Sequence, residues 1–593
     1  MLQFLADESD QAYERLIDHL LTLEHFGERW GRSWLDWCGY VDVFGRDNDF
    51  AIIKPLRGRW RYRDYVILAF NDGKPWNRFL IEQLAGDELV DWRSAEHLTP
   101  EMVELLTATG FLLCADDDSD QNELNTPDIR NYVLQHTGEI AANNLFALTV
   151  ACAKCHNHKY EPIAQLDYYR WLANFSPVFN PQRWVTSVEH GMAEPTQQEK
   201  EVVGSHNAEI DAKIAALQEQ QSALNKEEDE AECSEIETKI AALNSQKKSY
   251  PVLQVAVEQN PPSPTYLLRR GQVGKPGVEV QPASLTILQQ ARAAGHAESQ
   301  SELQPQGATS GRRLAIAKQV TDADSIAGAL VARVFVNRLW QELLGKGIVE
   351  TSDNFGVSGA RPTHPELLDW LATEFIRGGW KVKPLVKTIM MSSVYRQTSL
   401  RQDADFATQV DPANDLLWRA RLRQLSSEHI RDRVLAVSGQ LDRTVGGPPV
   451  PLLARPDGKI VINMDSLPTS TSHLRRSLYI LNRRNYHLSM LTTFDQPFLT
   501  SNCTCRKPSA VVTQSLTMMN DEFVLEQASR FAQRVVREFQ TNRPSKRVSK
   551  TTSWRLGCKW LPESYSTFPA NRLRRAKCTA WTISQRSVMV CGA

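Results

Sequence analysis

The chain has 593 residues, more than one compact hydrophobic core usually contains, so its length predicts two to four domains. Hydrophobic residues make up 42% of the chain and charged residues 23%, proportions typical of a globular protein and not of a disordered or fibrous one. The formal net charge of −2 gives no general attraction to nucleic acid or to an anionic membrane, and no apolar run is long enough to predict a transmembrane segment.

Residues 1–180 are predicted to form a helical domain. Trp30, Trp34 and Trp37 follow one another at steps of four and three, which places the three indoles on one face of a helix. We interpret this face as part of a hydrophobic core. Two further helices are predicted, one beginning after residues 61–64 and one around 79–84 that ends near Gly86.

The middle of the chain changes in composition twice. Residues 197–248 are rich in Ala, Glu, Gln, Lys and Leu with heptad-like apolar steps, which predicts a helical hairpin, coiled against itself, with a turn at 225–231. Residues 250–311 are rich in Pro and Gly, which predicts an extended linker with edge-strand character.

Residues 312–540 are predicted to form a second helical domain, and residues 541–593 an atypical basic tail. The predicted fold class is therefore mainly α, with two helical domains joined by the hairpin and the linker. The helices predicted in the second domain include 327–344, 365–377, 385–393 and 426–438.

One motif carries specific chemistry: Cys152-Ala-Lys-Cys155-His156, the CxxCH pattern of c-type haem attachment. Two thiols three residues apart can bond the two vinyl groups of one porphyrin, and the next residue can offer its imidazole to the iron. The motif therefore predicts haem c at Cys152 and Cys155, with His156 as the iron ligand.

Two other uses of the same residues stay open. The thiols can bind a structural metal with His156 and His158, or form a disulfide, although adjacent Cys and His crowd a tetrahedral site. A redox dithiol is also open, although thioredoxin-type CxxC pairs sit between a strand and a helix. The sequence identifies no sixth iron ligand, since His136, His190 and Met192 are near only in sequence.

Three weaker patterns receive structural interpretations. Asp116, Asp118 and Asp120 alternate as in a calcium loop but lack its glycine and its closing glutamate, so we predict a solvated acidic loop. The Cys503–Cys505 pair is too closely spaced for a relaxed disulfide and is interpreted, like the remaining cysteines, as buried thiol. The cluster Arg475, Arg476, Arg483 and Arg484 favours a salt-bridged surface, with an anionic substrate as the alternative.

Many blocks of the chain resemble the planctomycete cytochrome-like domain and the domain of unknown function that usually follows it. The blocks of the first domain are FGERW (26–30), WLD (34–36), YRD (62–64), EQLAGD (82–87) and LTVACAKCHNHKYEPI (148–163). Those of the second are RVFVNRLW (333–340), DNFG (353–356), PTHPELLDW (362–370), YRQ (395–397), LWR (417–419), RSLY (476–479) and MND (519–521).

The resemblance covers about nine-tenths of the chain and implies a periplasmic or cell-surface protein. No signal peptide is recognised at the start of this chain, and the family pattern normally extends upstream of Met1, so we expect a truncated N-terminus. The resemblance is expected to stop near Gln540. The tail beyond it looks like the product of a shift in the reading frame.

Three functions follow as hypotheses. The first is a haem-bearing envelope protein that transfers electrons to a redox partner protein, or takes part in other redox chemistry. The second is an enzyme acting on an extracellular polymer, suggested by Asn337, Arg338, Asp353, His364 and Asp369, with the CxxCH region structural. The third is a cell-surface scaffold that binds a partner through residues 197–248. Substrate, redox partner and oligomeric state are not encoded in any motif we recognise.

Overall fold

The computed structural model describes residues 2–45, 55–121, 123–193, 196–222, 230–248, 250–259, 262–289, 304–400, 404–499 and 501–541. The basic tail and most of the predicted turn at 225–231 lie outside these residues. The fold is mainly helical with small sheets, which confirms the predicted class. Within the described residues, no helix combines the length and the apolar character needed to cross a membrane.

In the first region, the helix that carries the three tryptophans, the helix after residues 61–64 and the helix around 79–84 lie where the sequence predicts them. The helices of this region are α1 Leu2–Leu5, α2 Ala12–Thr22, α3 His25–Cys38, α4 Trp60–Asn71, α5 Trp76–Ala85, α6 Pro100–Ala108, α7 Pro127–Phe146 and α8 Gln165–Leu172. In α7, Pro127 occupies the first turn and the Thr126 side chain accepts a hydrogen bond from the Ile129 amide at 3.3 Å. Helix α7 ends at Ala147, whose φ of 49° reverses the chain.

Two long helices, α9 Gln197–Ser222 and α10 Glu230–Gln246, occupy the segment predicted as a hairpin and pack against each other. Ile210, Ile214 and Ile236 are buried along them, as the heptad-like steps predict. The residues that join the two helices are outside the described part of the chain, so the hairpin arrangement stays a prediction.

The described residues also form three two-stranded antiparallel sheets. Their strands are β1 Gly191–Ala193 with β2 Val252–Gln254, β3 Thr265–Leu268 with β4 Pro276–Val280, and β5 Leu452–Ala454 with β6 Ile460–Ile462. The two strands of the second sheet lie in the Pro/Gly-rich segment, and the turn between them reaches the CxxCH motif.

The remaining helices are α11 Thr286–Gln289, α12 Arg312–Thr321, α13 Ile326–Leu344, α14 Pro365–Arg377, α15 Val382–Met391, α16 Ala404–Val410, α17 Ser427–Ser438, α18 Ser489–Thr493, α19 Val512–Asn520 and α20 Glu522–Thr541. The Ser325 hydroxyl caps α13 by accepting a hydrogen bond from the Gly328 amide at 2.8 Å, and the helix ends at Gly345, whose φ is 89°.

One hydrophobic core joins the two regions that the sequence predicts as separate domains. The indoles of Trp30, Trp34 and Trp37 are all buried in it, as predicted. Trp76 of α5 stacks on Phe335 of α13 with ring centroids 4.0 Å apart, and Phe335 stacks in turn on Phe375. The regions therefore share apolar packing, and the domain boundaries stay predictions.

The acidic loop at residues 116–120 is not solvated, so that prediction is wrong. Asp116 is buried, and its carboxylate is bonded to the imidazole of His136 and to the Tyr132 hydroxyl. Asp117 is also buried and accepts a hydrogen bond from the Ser187 hydroxyl at 2.7 Å. Because these partners come from other segments, the carboxylates are satisfied without water.

The basic cluster at residues 475–484 is also not a surface patch. The Arg475 guanidinium is buried and donates to the carbonyls of Thr444, Gly446 and Pro448. The Arg484 guanidinium donates to the Cys114 carbonyl at 2.8 Å. Arg475 and Arg484 tie loops to the core, so the surface prediction is wrong for them, whereas partly exposed Arg476 forms a salt bridge with Glu28 at 2.8 Å, as predicted.

A buried arginine also closes the C-terminal end of α7. The Arg338 guanidinium, from α13, donates to the carbonyls of Asn143 and Asn144 at 2.9 and 3.2 Å and to that of Ser352 at 3.3 Å. Helix ends leave their last carbonyls short of donors inside the helix, and here the Asn143 carbonyl accepts from the Ala147 amide at 3.0 Å as well as from Arg338. Burial lowers the pKa of Arg338, yet a guanidinium stays protonated at neutral pH, so the cap keeps its charge.

We expect Arg338→Met to destabilise the protein by about 2–4 kcal/mol, because methionine fills the space but removes the buried guanidinium that donates to the carbonyls of Asn143, Asn144 and Ser352. Urea unfolding monitored by circular dichroism measures the change. Arg333→Met is the matched control on the same helix. Arg333 forms a partly exposed ion pair with Asp369, and its loss is expected to cost less than about 1 kcal/mol. Equal shifts for the two variants would contradict this role of Arg338.

Candidate functional site

Cys152, Cys155 and His156 lie on a surface loop that leaves the core at residue 150 and returns to it at residue 163. We refer to residues 150–163 as the CxxCH loop. Val150 and Ile163 at its two ends are each only 2% exposed, whereas the two thiols and the imidazole between them are exposed. The loop therefore presents its reactive side chains to solvent from two buried anchor points.

The local backbone places the two thiols on one side of the loop. Val150–Lys154 form a 3₁₀ helix, and Cys155 continues it with φ −102° and ψ −28°. Side chains three residues apart are eclipsed in a 3₁₀ helix, so Cys152 and Cys155 share one side. Both are free thiols. The motif follows α7 and not a strand, so it lacks the strand-to-helix setting of thioredoxin-type dithiols.

The two histidines of the loop have opposite hydrogen-bonding roles. His156 Nδ1 lies 2.6 Å from the Asn157 carbonyl oxygen, which can only accept, so Nδ1 carries the proton and Nε2 keeps its lone pair. His158 Nδ1 accepts hydrogen bonds from the amides of Tyr160 and Glu161 at 3.2 and 2.8 Å. The proton of neutral His158 is therefore on Nε2, and neither of its nitrogens offers a free lone pair to a metal.

Residues of α8 hold the CxxCH loop through hydrogen bonds. The Lys154 carbonyl accepts hydrogen bonds from Gln165 Nε2 at 2.9 Å and from the Tyr169 hydroxyl at 3.0 Å. The main-chain amide of Gln165 donates to Asn157 Oδ1 at 2.9 Å. Gln165 Nε2 also reaches the Leu268 carbonyl of β3 at 3.2 Å, which joins the loop to the second sheet. The CxxC segment is thus held through its main chain, which leaves its thiols free.

The turn between β3 and β4 lies against one of the thiols. Gly271 has a φ of 70°, and a Cβ atom at this position would lie 3.0 Å from Cys155 Sγ. A side chain here would have to displace the sulfur or the turn, so glycine permits the close approach. Sequence reasoning missed this neighbour, because Gly271 stands in a Pro/Gly-rich segment that appeared to be only a linker.

Glu161 fixes the far end of the loop to the 356–358 segment. Its carboxylate is buried and accepts hydrogen bonds from the amides of Val357 and Ser358 at 3.0 and 3.4 Å. A Cβ atom on Gly356 would lie 2.3 Å from Glu161 Oε1, so a side chain there would displace the carboxylate from its present position. No sequence pattern predicts this contact, since the two segments are almost 200 residues apart.

Two phenols and a carboxyl group lie behind the loop. The Tyr168 hydroxyl donates to Glu139 Oε1 at 2.7 Å. Burial raises the pKa of Glu139, and burial together with that carboxylate raises the pKa of Tyr168. Burial, and then the nearby Cys155 thiol, raise the pKa of Tyr169. The surroundings of the motif therefore favour neutral phenols at neutral pH.

The other ligands considered from the sequence are engaged elsewhere. His136 is bonded to Asp116, and buried His190 is close to the Val255 carbonyl at 3.1 Å. Met192 lies in β1, in a small apolar cluster around Leu106. In the part of the chain that the structure describes, no three His, Cys, Asp or Glu side chains are grouped as a metal site. The structural-metal alternative thus has no preformed ligand set there.

Four of the five polar residues that suggested an enzyme make contacts within the fold through their side chains. The Asn337 side chain bonds both the amide and the carbonyl of Val349, at 2.8 and 2.9 Å. Arg338 caps α7, and Asp369 pairs with Arg333. His364 precedes α14, with Nδ1 3.0 Å from the Thr363 hydroxyl. The contacts of Asn337, Arg338 and Asp369 hold segments of the fold together.

The Cys503–Cys505 pair differs from its prediction. Cys503 is half-buried, with its amide bonded to the Asp36 carbonyl at 2.8 Å, but Cys505 is exposed. The prediction of buried thiols is correct for Cys38, Cys114 and Cys233.

Two family models match the chain. Residues 1–179 match PSCyt2, a "Protein of unknown function (DUF1549)", and residues 312–560 match PSD1, a "Protein of unknown function (DUF1553)". The expected pairing of two domains of unknown function is therefore confirmed. The second match extends past Gln540, where we expected the resemblance to stop, so that expectation is wrong. No curated protein and no solved structure matched the chain.

We expect Glu161→Ala to loosen the CxxCH loop while leaving the rest of the fold unchanged, because the amides of Val357 and Ser358 lose their acceptor. Hydrogen exchange followed by mass spectrometry is expected to show about tenfold or faster exchange in peptides covering 157–163 and 356–358. Lys159→Ala, which removes an exposed side chain of the same loop, is the control and is expected to leave both peptides unchanged. Unaltered exchange in Glu161→Ala would show that the anchor is dispensable.

Proposed function

We propose that Cys152, Cys155 and His156 bind haem c and that the protein takes part in electron transfer or related redox chemistry in the cell envelope. The observation that carries this proposal is the hydrogen bonding of the two neighbouring imidazoles, which determines the ring nitrogen that is available to an iron. His156 is exposed with Nε2 available, whereas His158 is committed through Nδ1 to the loop's own amides. A proximal haem ligand needs the first arrangement.

The donor set fits the group in type and access. Cys152 and Cys155 would form the thioether bonds, and their exposure leaves both sulfurs open to a macrocycle. His156 Nε2 would bind the iron, while the Asn157 carbonyl fixes the tautomer and the orientation of the ring. Covalently bound haem supplies a one-electron redox couple of tunable potential.

The supporting residues give this site a fixed base. Gln165 and Tyr169 hold the Lys154 carbonyl, so the main chain between the two thiols is immobilised through hydrogen bonds. The site lies at the surface, where a redox partner protein can approach the haem edge. Because haem c is attached outside the cytoplasm, the proposal includes a periplasmic or cell-surface location.

The test uses the full chain, exported through an added leader into cells with a cytochrome c maturation system. We expect a denatured band that stains for haem, a mass increased by one haem and a c-type absorption spectrum. Cys152→Ala with Cys155→Ala is expected to abolish covalent haem. His156→Ala is expected to reduce attachment at least several-fold and to alter the spectrum of any haem that attaches.

The matched control is the double variant Cys503→Ala with Cys505→Ala, which removes the other close pair and is expected to stain like the unaltered chain. A known c-type cytochrome made in the same cells verifies the maturation system. A correctly folded preparation whose denatured band does not stain, and whose mass is that of the bare polypeptide, would rule out the haem assignment.

A further inference from the structure

A second pair of cysteines meets deep in the core, away from the CxxCH loop. Cys38 is the last residue of α3, and Cys114 ends a 3₁₀ helix, Thr109–Cys114. The residues are 76 positions apart in sequence, yet their sulfur atoms lie 3.7 Å from each other. Both are buried, with 0% and 1% of their surface exposed. The fold thus places two thiols in direct contact.

The surroundings of the pair differ between the two sulfurs. Arg59 Nη2 lies 3.2 Å from Cys114 Sγ, whereas Cys38 Sγ faces the Tyr62 hydroxyl at 3.9 Å and the Leu35 carbonyl at 3.4 Å. The Arg59 guanidinium is immobilised by the Gly110 and Leu113 carbonyls at 2.8 and 3.1 Å. A fixed cation therefore stands beside one thiol of the pair.

This asymmetry selects the nucleophile of a thiol–disulfide exchange. Burial raises the pKa of Cys114, but the Cys38 thiol hydrogen bond and the Arg59 guanidinium outweigh it and bring the pKa to about 7. Burial and the Cys114 sulfur raise the pKa of Cys38 well above its ordinary value. The Cys114 sulfur is accordingly the one that becomes a thiolate first.

We propose that Cys38 and Cys114 form a disulfide bond when the protein folds in an oxidising compartment. A disulfide requires sulfur atoms about 2 Å apart, so closure needs only a small movement of two side chains that already touch. The competing contacts of the thiols, to the Leu35 and Gly110 carbonyls at 3.4 and 3.6 Å, are weak sulfur hydrogen bonds. The bond would link the end of α3 to the 3₁₀ helix across the core.

The reaction uses a small-molecule or protein disulfide as oxidant. The Cys114 thiolate attacks one sulfur of the oxidant, forms a mixed disulfide and releases one thiolate. The Cys38 thiol then loses its proton and attacks the Cys114 sulfur, which releases the second thiolate. The two protein thiols give up two protons and two electrons, and the oxidant is reduced to two thiols. Because both sulfurs are buried in the native state, the oxidant reaches Cys114 late in folding, when Arg59 already lies beside its sulfur but the core is not yet closed.

The experiment compares the full chain made in an oxidising compartment with the same chain made in a reducing one. Each sample is denatured in an alkylating reagent, digested without reduction and analysed by mass spectrometry. We expect the oxidised sample to yield a peptide pair that joins Cys38 to Cys114 and is two hydrogens lighter than the separate peptides. The reduced sample is expected to yield both cysteines alkylated.

Two variants distinguish this pairing from other thiol chemistry. Cys152→Ala with Cys155→Ala is expected to keep the Cys38–Cys114 linkage, which separates this proposal from that of haem attachment. Cys38→Ala is expected to lose the linkage and to leave Cys114 alkylated or joined to the small-molecule thiol. Thermal unfolding is expected to show a midpoint several degrees higher for the oxidised chain than for the reduced chain.

Complete alkylation of both cysteines in natively folded protein from the oxidising compartment would overturn the proposal. A linkage of Cys114 to any cysteine other than Cys38 would overturn it as well. If Cys38→Ala does not fold, the peptide map of the unaltered chain still decides between these outcomes.

Discussion

The described fold depends on buried guanidinium groups that donate hydrogen bonds to main-chain carbonyls of distant segments. Arg338 joins α13 to the end of α7, Arg59 joins the start of α4 to the turn that ends at Cys114, and Arg475 holds the loop at 444–448. A guanidinium has five donors in a rigid plane and is more weakly hydrated than an ammonium group. It can therefore donate to several carbonyls at once inside the core.

This constraint positions the candidate site. The chain emerges from α7 at Ala147, immediately after the carbonyls that Arg338 caps, and begins the CxxCH loop three residues later. At the other end of the loop, the direction of donation is opposite. The Glu161 carboxylate, in the first region, accepts hydrogen bonds from main-chain amides of the second region. The end of α7, which precedes the loop, and the far end of the loop are thus both held by polar contacts with the 312–541 region. The exposed thiols rest on a base to which both regions contribute.

The chain separates its cysteines by environment. Cys152 and Cys155 are exposed and supported only through their main chain, so their sulfurs are free to react with an external group. Cys38 and Cys114 are buried against each other beside a fixed cation. The same residue type therefore serves two kinds of chemistry, and the difference comes from access to solvent and from the neighbouring charge.

The two predictions that failed most clearly concern charge. Asp116 and Asp117 and three of the four arginines at 475–484 are buried although the sequence predicts them at the surface, because a local pattern indicates only the average cost of burying a charge. The partners that remove this cost, such as His136 for Asp116 and the Gly446 carbonyl for Arg475, come from other segments. A charge is buried when a partner satisfies it, and that partner is invisible in a local pattern.

The sequence by itself determined the helical class, the positions of several helices, the buried tryptophan face of α3 and the identity of the one chemically specific motif. These features depend on residues a few positions apart, and local spacing records them. Only the tertiary structure decided which imidazole of the loop is available, that Gly271 and Glu161 flank the motif, and that Cys38 meets Cys114. Those facts depend on contacts between residues tens to hundreds of positions apart, which form only when the whole core packs.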